Sequence, residues 1–572
     1  MKLNIQEVPF SIKGSYFAIN ILDGMMVLKD IHGGHETPSV IFNIEIEGYT
    51  NILQSEFQKN YDLDVTETEL ICRKKRDAES YFRCTFTQTG GIHVQIKGIQ
   101  VSFTAEYFMY NTFYEVCDKQ YELISYKKDQ RYSLDVLAGD ICYEASWSRI
   151  ENKKIKFTNQ KLVQSEFIME YYKAVKPTFD SRLTYEENVR ENQESLAVFR
   201  SRFSQMDDSK ESLLATYLLW ANQVRAEGML KEDVIVMSKN KMQNIWSWDN
   251  CFSALALAKV DPDLAYSQFK VFIDYQTPEG AFPDFINDKT VSYSCVKPPI
   301  HAWAYNELMS INPYFLQNEK LKLIYQGISE NTNYWLEHRK HPTTGLLYYS
   351  HGNDSGWDNS SVFHEGLPVS SPDLISFLAL QCQILSEWAS RLSLDNTEWL
   401  TKAKELTGLL YETYYGSDQQ QFIAINARTS EKIQENGSLL LQMPFFAHRI
   451  LPPKVVNTLA DNIMKNFVTK FGISTERIDS KLYEEDGYWL GPIWAPVTYM
   501  LIQSFYHAGF VDEAKELQSR YMDLAKIGGM AENYNALTGI GNDDLGFAWA
   551  SAVFMLLKEA NYTYPNEMRD EG

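Results

Sequence analysis

Residues 372–392 read PDLISFLALQCQILSEWASRL, and this stretch decides the fold of the larger part of the chain. Its apolar side chains recur at helical spacing and spread over most of the circumference of a helix. A helix that is apolar nearly all round must be covered on every side. We therefore predict an inner helix from Pro372 to Leu392, surrounded by other helices.

Helices of a second kind flank this one. They carry apolar residues on one face only, as at Leu213 and Tyr217 in one segment and at Trp399 and Leu406 in another. Roughly a dozen helical segments follow one another by periodicity. Outer amphipathic helices that alternate with more apolar inner ones predict two concentric rings, an (α/α)6 barrel over residues 209–572.

The first part of the chain follows a different period. Apolar residues alternate with polar ones, for example at Ile92, Val94 and Ile96, and glycine-containing turns separate such runs. Many short strands predict an N-terminal β-sandwich over residues 1–183, which we interpret as a structural domain. Residues 184–208 are rich in Glu, Asn, Arg and Gln and predict a linker with one helix. The fold class is therefore multidomain, in keeping with a length of 572 residues.

The charge balance limits the classes of partner. The net charge is −21, which argues against nucleic acid, because phosphate binding needs clustered Lys and Arg. It also argues against an acidic membrane surface. The net charge does not exclude neutral ligands such as sugars. The aromatic share of 14% suits either large cores or sugar-binding sites.

The seven cysteines are an odd number without CxxC or metal-ligand spacing, so we predict reduced thiols in a cytoplasmic protein. No apolar stretch reaches the roughly 18 residues of a spanning helix, and residues 1–7 do not read as a signal peptide. No metal or other cofactor is expected, because no nucleotide loop, metal cluster or Ser/His/Asp arrangement stands out.

The loop that feeds the inner helix carries the first candidate for chemistry. Residues 354–360 read DSGWDNS and place Asp354 and Asp358 on either side of Trp357. An Asx-turn or a helix cap would explain an Asp-Asn-Ser sequence without any chemistry. Core packing gives little reason for two acids beside an aromatic here, so we interpret Asp358 as a catalytic acid and Trp357 as part of its site.

Further candidate residues lie on four other loop stretches of the same half. A Trp-x-Trp followed by Asp-Asn, a breaker-rich loop, two tryptophans around a Gly-Pro turn, and a Glu in a neutral aromatic loop all suit sugar contact. Packing of core aromatics or of helix starts is the alternative for the tryptophans. These residues are Trp246, Trp248, Asp249, Gln276, Asp284, Tyr488, Trp489, Trp494, Glu532, Tyr534 and Trp549.

Two carboxylates on separate barrel loops fit glycoside hydrolysis. A protonated acid gives its proton to the leaving oxygen, and an ionised carboxylate takes a proton from water on the opposite face of the sugar. The two groups need different pKa values, and burial against Trp357 would raise the pKa of Asp358. Separation of the carboxyl groups by about 6.5–9.5 Å would give inversion.

Four motifs in this order resemble glycoside hydrolase family 63 and, more loosely, trehalase family 37. They are WDNCF at 248–252, SGWDNS at 355–360, YWLGPIW at 488–494 and ENYNALTG at 532–539. The resemblance covers about residues 210–562 and implies an inverting α-glycosidase with an (α/α)6 barrel. By this likeness Asp358 matches the general acid, Glu532 the general base, and Asp249, Trp248 and the aromatics of 488–494 sugar-binding positions.

Two positions depart from the family pattern. Leu490 stands where members often carry Arg, and Lys297 stands where many carry Gln before Pro-Pro. Lys297 would hold an anionic aglycone such as glycerate, or it is a solvated loop lysine, which we favour. The expected substrate is a small α-linked carbohydrate, either an oligosaccharide of glucose or a glucosyl- or mannosyl-glycerate-like glycoside.

Two other classes of function remain open. An α-glycoside phosphorylase pairs a β-sandwich with a similar barrel, but phosphate replaces the activated water, so a base such as Glu532 would be superfluous. A non-catalytic sugar-binding protein is the third hypothesis, and the presence of both carboxylates speaks against it.

Overall fold

The computed structural model describes residues 1–160, 164–178, 182–416, 420–433 and 437–563. The chain divides into two compact units, which are described separately. Unit 1 comprises Met1–Arg202, Asp208–Asn244 and Asn287–Thr290, and unit 2 comprises Phe203–Asp207, Ile245–Ile286 and Val291–Gly572.

Unit 1 is built mainly of antiparallel strands. Its strands are β1 Phe17–Leu22, β2 Met25–Asp30, β3 Val40–Ile46, β4 Tyr61–Val65, β5 Leu70–Lys74, β6 Asp77–Phe86, β7 Ile92–Lys97, β8 Val101–Ala105, β9 Thr112–Cys117, β10 Gln120–Ser125, β11 Gln130–Ala138, β12 Ile141–Glu144, β13 Trp147–Ser148, β14 Glu151–Asn152, β15 Lys156–Asn159, β16 Ser165–Tyr172, β17 Gln223–Val224 and β18 Val234–Ile235. Its helices are α1 Ser55–Asn60, α2 Tyr185–Ser201 and α3 Lys210–Ala221.

Two large sheets share the core of this unit. One has the strand order β1-β2-β3-β8-β15-β12 and the other the order β4-β5-β6-β7-β16-β11-β10-β9. Phe103 of the first sheet stacks on Phe157 at 4.8 Å and meets Phe167 of the second sheet edge-on at 5.5 Å. The alternating residues that predicted strands fall on β7, β8 and β11, so the predicted β-rich N-terminal region is confirmed.

The division between the units differs from the predicted boundary at residue 209. The predicted linker helix is α2, and Thr184 closes a capping box at its start. However, α2 and α3 both belong to unit 1. The side-chain amide of Asn192 donates to the Phe86 carbonyl at 2.8 Å, and the Tyr217 hydroxyl donates to the Pro9 carbonyl at 2.8 Å. Such specific polar contacts are not visible in helical periodicity.

Unit 2 is mainly helical, as predicted. Its helices are α4 Asp249–Leu257, α5 Pro262–Ile273, α6 His301–Ile311, α7 Asn318–His338, α8 Pro372–Arg391, α9 Thr397–Leu409, α10 Pro453–Asn466, α11 Ala495–His507, α12 Val511–Gly528 and α13 Ala548–Glu559, with a 3₁₀ segment at Leu439–Ile450. Its strands are two residues long: β19 Ile245–Trp246, β20 Phe285–Ile286, β21 Val291–Ser292, β22 Val369–Ser370, β23 Tyr415–Gly416, β24 Gln421–Phe422, β25 Ile425–Asn426, β26 Asn533–Tyr534 and β27 Gly541–Asn542.

Six largely buried segments of unit 2 form a ring. In order, α4, α6, α8, the 3₁₀ segment, α11 and α13 each pack against the next, and α13 packs against α4. The long apolar helix of the sequence is α8, and most of its residues are buried. The amphipathic helices α5, α7, α9, α10 and α12 pack on the outside of this ring. Burying each large apolar side chain of α8 contributes about 1.5–3 kcal/mol, which fixes the helix inside.

No helix in the described ranges combines the length and the apolar character that crossing a bilayer requires.

Candidate active site

The loop before α8 is anchored by Asp354, not by Asp358. The Asp354 carboxylate accepts hydrogen bonds from the backbone N–H groups of Ser350 at 2.7 Å and Val296 at 3.1 Å, and it pairs with the Arg339 guanidinium. A buried carboxylate that is satisfied in this way serves structure. The two acids of the motif therefore have separate roles: Asp354 holds the loop, and Asp358 is the candidate for chemistry.

Gly356 brings this loop against the ring of Trp248. Its φ is +73°, which L side chains rarely adopt, and a Cβ added there would lie 2.7 Å from Trp248 Cζ2. The next residue, Trp357, stacks on Trp489 with ring centroids 4.8 Å apart and planes at 29°. The backbone bend at Gly356 thus sets the position of Trp357 and of Asp358 after it.

We expect Gly356→Ala to destabilise the protein more than Gly345→Ala does. Both positions have nearly the same φ, +73° and +75°, so each alanine costs about 1–2 kcal/mol of backbone strain. At Gly345 the nearest atom to a new Cβ is 3.6 Å away, whereas at Gly356 it meets Trp248. Thermal unfolding of the two variants measures the difference, and equal losses of Tm would contradict the role of this contact.

Asp358 is partly buried and has charged neighbours. Burial raises the pKa of its carboxyl above the ordinary 3.8, Asp284 raises it further, and Lys297 and His351 oppose the rise. A carboxyl with a raised pKa keeps its proton at higher pH and can act as a proton donor. The predicted effect of burial on Asp358 therefore has a physical basis in this site.

Lys297 is the buried cation of the site, with an exposure of 7%. Its Nζ lies 3.0 Å from Asp284 Oδ1 and donates to the side chain and the carbonyl of Asn353. Burial disfavours its charge, but Asp284, Asp358 and Asp249 together raise the pKa of Lys297 above 10.5. Our preference for a solvated loop lysine was wrong, because the carboxylates that enclose Lys297 come from distant segments.

Asp249 opens α4 and is 6% exposed. Burial raises the pKa of Asp249 to about 7, Lys297 opposes this, and Asp284 and Asp358 add to it. Within the described part of the chain, Asp249 Oδ2 has no hydrogen-bond partner. A buried carboxyl oxygen without a partner is costly unless a ligand supplies one, so Asp249 is suited to bind a sugar hydroxyl.

Glu532 is the second deeply buried acid, at 5% exposure. Its Oε1 accepts a hydrogen bond from the Tyr488 hydroxyl at 3.1 Å. Burial raises the pKa of Glu532 to about 8, with Asp544 and Asp543 adding to the rise. Tyr488 has a φ of +62°, an uncommon conformation for a non-glycine residue that is often found at functional sites.

A wall of tryptophans surrounds these groups. Trp489 and Trp494 stack with centroids 3.8 Å apart and planes at 7°, and Trp494 meets Trp549 edge-on at 5.4 Å. Trp248 lies 6.3 Å from Trp489 and 6.2 Å from Trp549. The indole N–H of Trp549 donates to the Glu532 carbonyl at 3.0 Å, so the wall also fixes the backbone of that acid.

Asn359 ties the Asp358 loop to the segment that carries Tyr488. Its Oδ1 accepts from the Trp489 N–H at 2.9 Å, and its Nδ2 donates to the Gly487 carbonyl at 3.0 Å. The charge of Asp358 and that of Glu532 both act on the Tyr488 hydroxyl. The hydrogen bonds of Asn359, together with that of Tyr488 to Glu532, therefore link the loops of the two acids into one cluster. Our sequence reasoning missed Asn359, although its place directly after Asp358 was a signal.

Three of the predicted sugar contacts have other roles in the structure. The Gln276 amide donates to the carbonyls of Gly280 and Gly327, both at 2.8 Å, and holds a loop against α7. The Tyr534 hydroxyl donates to the Gly529 carbonyl at 2.9 Å. Trp246 is buried beside Phe285, with ring centroids 6.1 Å apart.

The helical half of the chain is similar to known glycoside hydrolases. The family model for the mannosylglycerate hydrolase MGH1-like glycoside hydrolase domain matches residues 242–550, a range that contains every residue of the cluster. The mannosylglycerate hydrolase of Thermus thermophilus is 21% identical over 387 residues, which cover 54% of this chain and 92% of that protein.

Solved structures share the fold. The crystal structure of a GH63 mannosylglycerate hydrolase from Thermus thermophilus in complex with Tris and D-glycerate matches with a TM-score of 0.54 and 19% identity, over 62% of this chain and 99% of that one. A bacterial glucoamylase complexed with acarbose matches over 97% of this chain and 94% of its own, with a TM-score of 0.61 and 12% identity. The second likeness extends to the N-terminal strands.

Proposed function

The chain belongs to the MGH1-like family of glycoside hydrolases, within family 63, and on that premise we propose that it hydrolyses α-glycosides with inversion of configuration at the anomeric carbon. Asp358 is the proposed general acid and Glu532 the proposed general base. The chain is a glycoside hydrolase by family, and its relatives support action on α-glycosides. One observation carries the proposal: Asn359 ties the Asp358 loop to the segment of Tyr488, and the Tyr488 hydroxyl donates to Glu532.

The proposed reaction uses each acid once. The Asp358 carboxyl donates its proton to the glycosidic oxygen as the bond to the anomeric carbon breaks. The Glu532 carboxylate takes a proton from a water molecule that attacks the anomeric carbon from the opposite face. The Tyr488 hydroxyl, 3.1 Å from Glu532 Oε1, stabilises the ionised form of that base.

The sugar is proposed to lie against the tryptophan wall. Flat apolar ring faces of a sugar stack on indole, which suits Trp248 and Trp489, while its hydroxyls need polar acceptors. Asp249 Oδ2 is such an acceptor, since it has no hydrogen-bond partner among the described residues. We propose that unit 2 is an (α/α)6 barrel whose inner ring of helices supports this sugar-binding site. We also propose that the two sheets of unit 1 form a β-sandwich.

The proposed substrate is a small α-linked oligosaccharide or glycoside, with glucose as the first sugar to test. The proposed compartment is the cytoplasm. All seven cysteines are unpaired in the structure, and four of them are buried, which fits a reducing environment.

A substrate panel tests the proposed function. Purified protein is incubated with α-linked disaccharides and with glucosyl- and mannosyl-glycerate, and proton NMR follows the first anomer released. We expect hydrolysis without added phosphate and the β-anomer as the first product. Release of the α-anomer would overturn inversion, and turnover that requires phosphate would assign a phosphorylase. Sugar binding without any turnover would assign a binding protein.

A further inference from the structure

The lysine in the cluster of acids is already fully engaged. Lys297 Nζ lies 3.0 Å from Asp284 Oδ1 and donates to Asn353, and its charge also acts on Asp249 and Asp358. Asp284 thus forms an ion pair with the ammonium group, and the charges of two further carboxyl groups act on it. A second anion near Lys297 would have to compete with carboxylates that the fold holds in place.

A row of acids lies beside both catalytic loops. Glu484, Glu485 and Asp486 are consecutive and exposed. They form the tip of a loop that the Glu484 N–H closes by donating to the Leu490 carbonyl at 2.8 Å. We call residues 484–486 the acidic tip.

Two asparagines connect the acidic tip to the catalytic loops. Asn359, next to Asp358, donates to the carbonyl of Gly487 at 3.0 Å, directly after the tip. Asn535, three residues after Glu532, donates to Glu485 Oε2 at 3.4 Å. The tip is therefore hydrogen-bonded to both loops that carry the two acids.

We propose that this site selects a neutral aglycone and rejects one that carries a carboxylate. The inference rests on the proposed function and names the substrate class of the same site. The acids of the cluster outnumber Lys297, and the acidic tip adds negative charge beside both catalytic loops. An aglycone carboxylate meets like charge on approach, and inside it meets a lysine that Asp284 and Asn353 already occupy. A glyceryl or sugar aglycone carries no charge and meets neither obstacle.

Matched pairs of substrates test this inference. The α-glucosyl and α-mannosyl derivatives of glycerol are compared with those of glycerate, and maltitol is compared with maltobionate. Each pair differs in one carboxylate. We expect kcat/KM to be at least tenfold higher for the neutral member of a pair. Raising the ionic strength from 0.01 M to 1 M shortens the screening length from about 30 Å to about 3 Å, so it should raise kcat/KM for the acidic member selectively.

Variants of the acidic tip provide the second measurement. We expect Glu484→Gln, Glu485→Gln and Asp486→Asn, combined, to reduce the preference for the neutral member at least threefold. The matched control is Asp512→Asn, Glu516→Gln and Asp523→Asn on α12, all exposed, which changes the net charge by the same amount. The control should keep the preference of the wild type. An equal effect of both triple variants would overturn the role of the tip.

Lys297→Gln separates the two roles of the lysine. If Lys297 only neutralises the aspartates, the variant loses activity on both members of a pair to the same extent. A loss confined to the acidic member, or faster cleavage of that member by the wild type, would overturn the inference and leave the glycosidase function standing. No hydrolysis of any α-glycoside would instead overturn the proposed function, and the inference with it.

Discussion

Asp358→Asn is expected to lower kcat/KM on unactivated α-glycosides by about 10²–10⁴-fold, the range that general acid catalysis contributes. Asparagine keeps the shape of the side chain but has no proton to donate to the glycosidic oxygen. The raised pKa of Asp358, which burial causes, is what lets the wild-type carboxyl hold that proton. Steady-state kinetics on a disaccharide that the wild type cleaves measures the loss.

The dependence on the leaving group identifies the role. The fluoride ion of a glycosyl fluoride leaves without needing a proton, so the variant should cleave this substrate at a rate much closer to that of the wild type. A loss of the same size for fluoride and disaccharide would show that Asp358 is not the acid. Asp512→Asn, an exposed change on α12, is the control for the substitution itself and should leave both rates intact.

Folding is not expected to explain the loss. Burial disfavours the charged form of Asp358, so a neutral asparagine removes an unfavourable charge and should not lower the Tm. A large drop in Tm together with the loss of activity would leave the kinetic result without meaning for catalysis. The fluoride measurement avoids this difficulty, because an unfolded variant cleaves neither substrate.

The fold was predictable where one physical signal dominated. The apolar circumference of α8 indicated an inner helix, and the alternation at Ile92, Val94 and Ile96 indicated strands, because burial sets both periods. The boundary between the units was less accessible. It depends on single polar contacts such as that of Asn192 with the Phe86 carbonyl, which periodicity does not encode.

The site divides in the same way. Residue type and loop context singled out Asp358, Glu532 and the tryptophans, since charged and aromatic residues together are poorly explained by a core. The state of Lys297 was not predictable, because its exposure and charge depend on carboxylates that approach from other loops. Gln276 shows the converse: its sequence context suggested a ligand contact, while the fold uses its amide to hold backbone carbonyls.

Glu532→Gln is the second change with a large expected effect. Without a base to take the proton from water, kcat should fall by about 10²–10⁴-fold on every substrate, fluoride included. This uniform loss distinguishes Glu532 from Asp358. Azide needs no base, so it should restore cleavage of the fluoride by Glu532→Ala and yield the β-glycosyl azide. An α-azide, or an unchanged rate on disaccharides, would contradict the assignment.

The pH profile adds a test of where the proton resides. Lys297 opposes the rise in the pKa of Asp358, whereas Asp544 and Asp543 add to the rise that burial causes in the pKa of Glu532, to about 8. We therefore expect the alkaline limb of kcat/KM to report Glu532 near pH 8. Glu532→Gln removes the group whose pKa is about 8, so the alkaline limb should move to lower pH. An unmoved alkaline limb would place the higher pKa on Asp358.

The same pKa makes Glu532 costly to the fold at alkaline pH. In the unfolded chain its pKa returns to about 4.5, so between pH 4.5 and 8 the folded state binds more protons than the unfolded state. Stability from this group is therefore present at low pH and is lost as the pH rises through that window. Glutamine cannot ionise, so the Tm of Glu532→Gln should be higher than that of the wild type at about pH 9 and equal to it at about pH 4. A carboxylate that is ionised while buried lowers the free energy of unfolding, which is the stability that a buried catalytic base gives up. Equal Tm values at the alkaline pH would show that ionised Glu532 does not lower the stability of the fold.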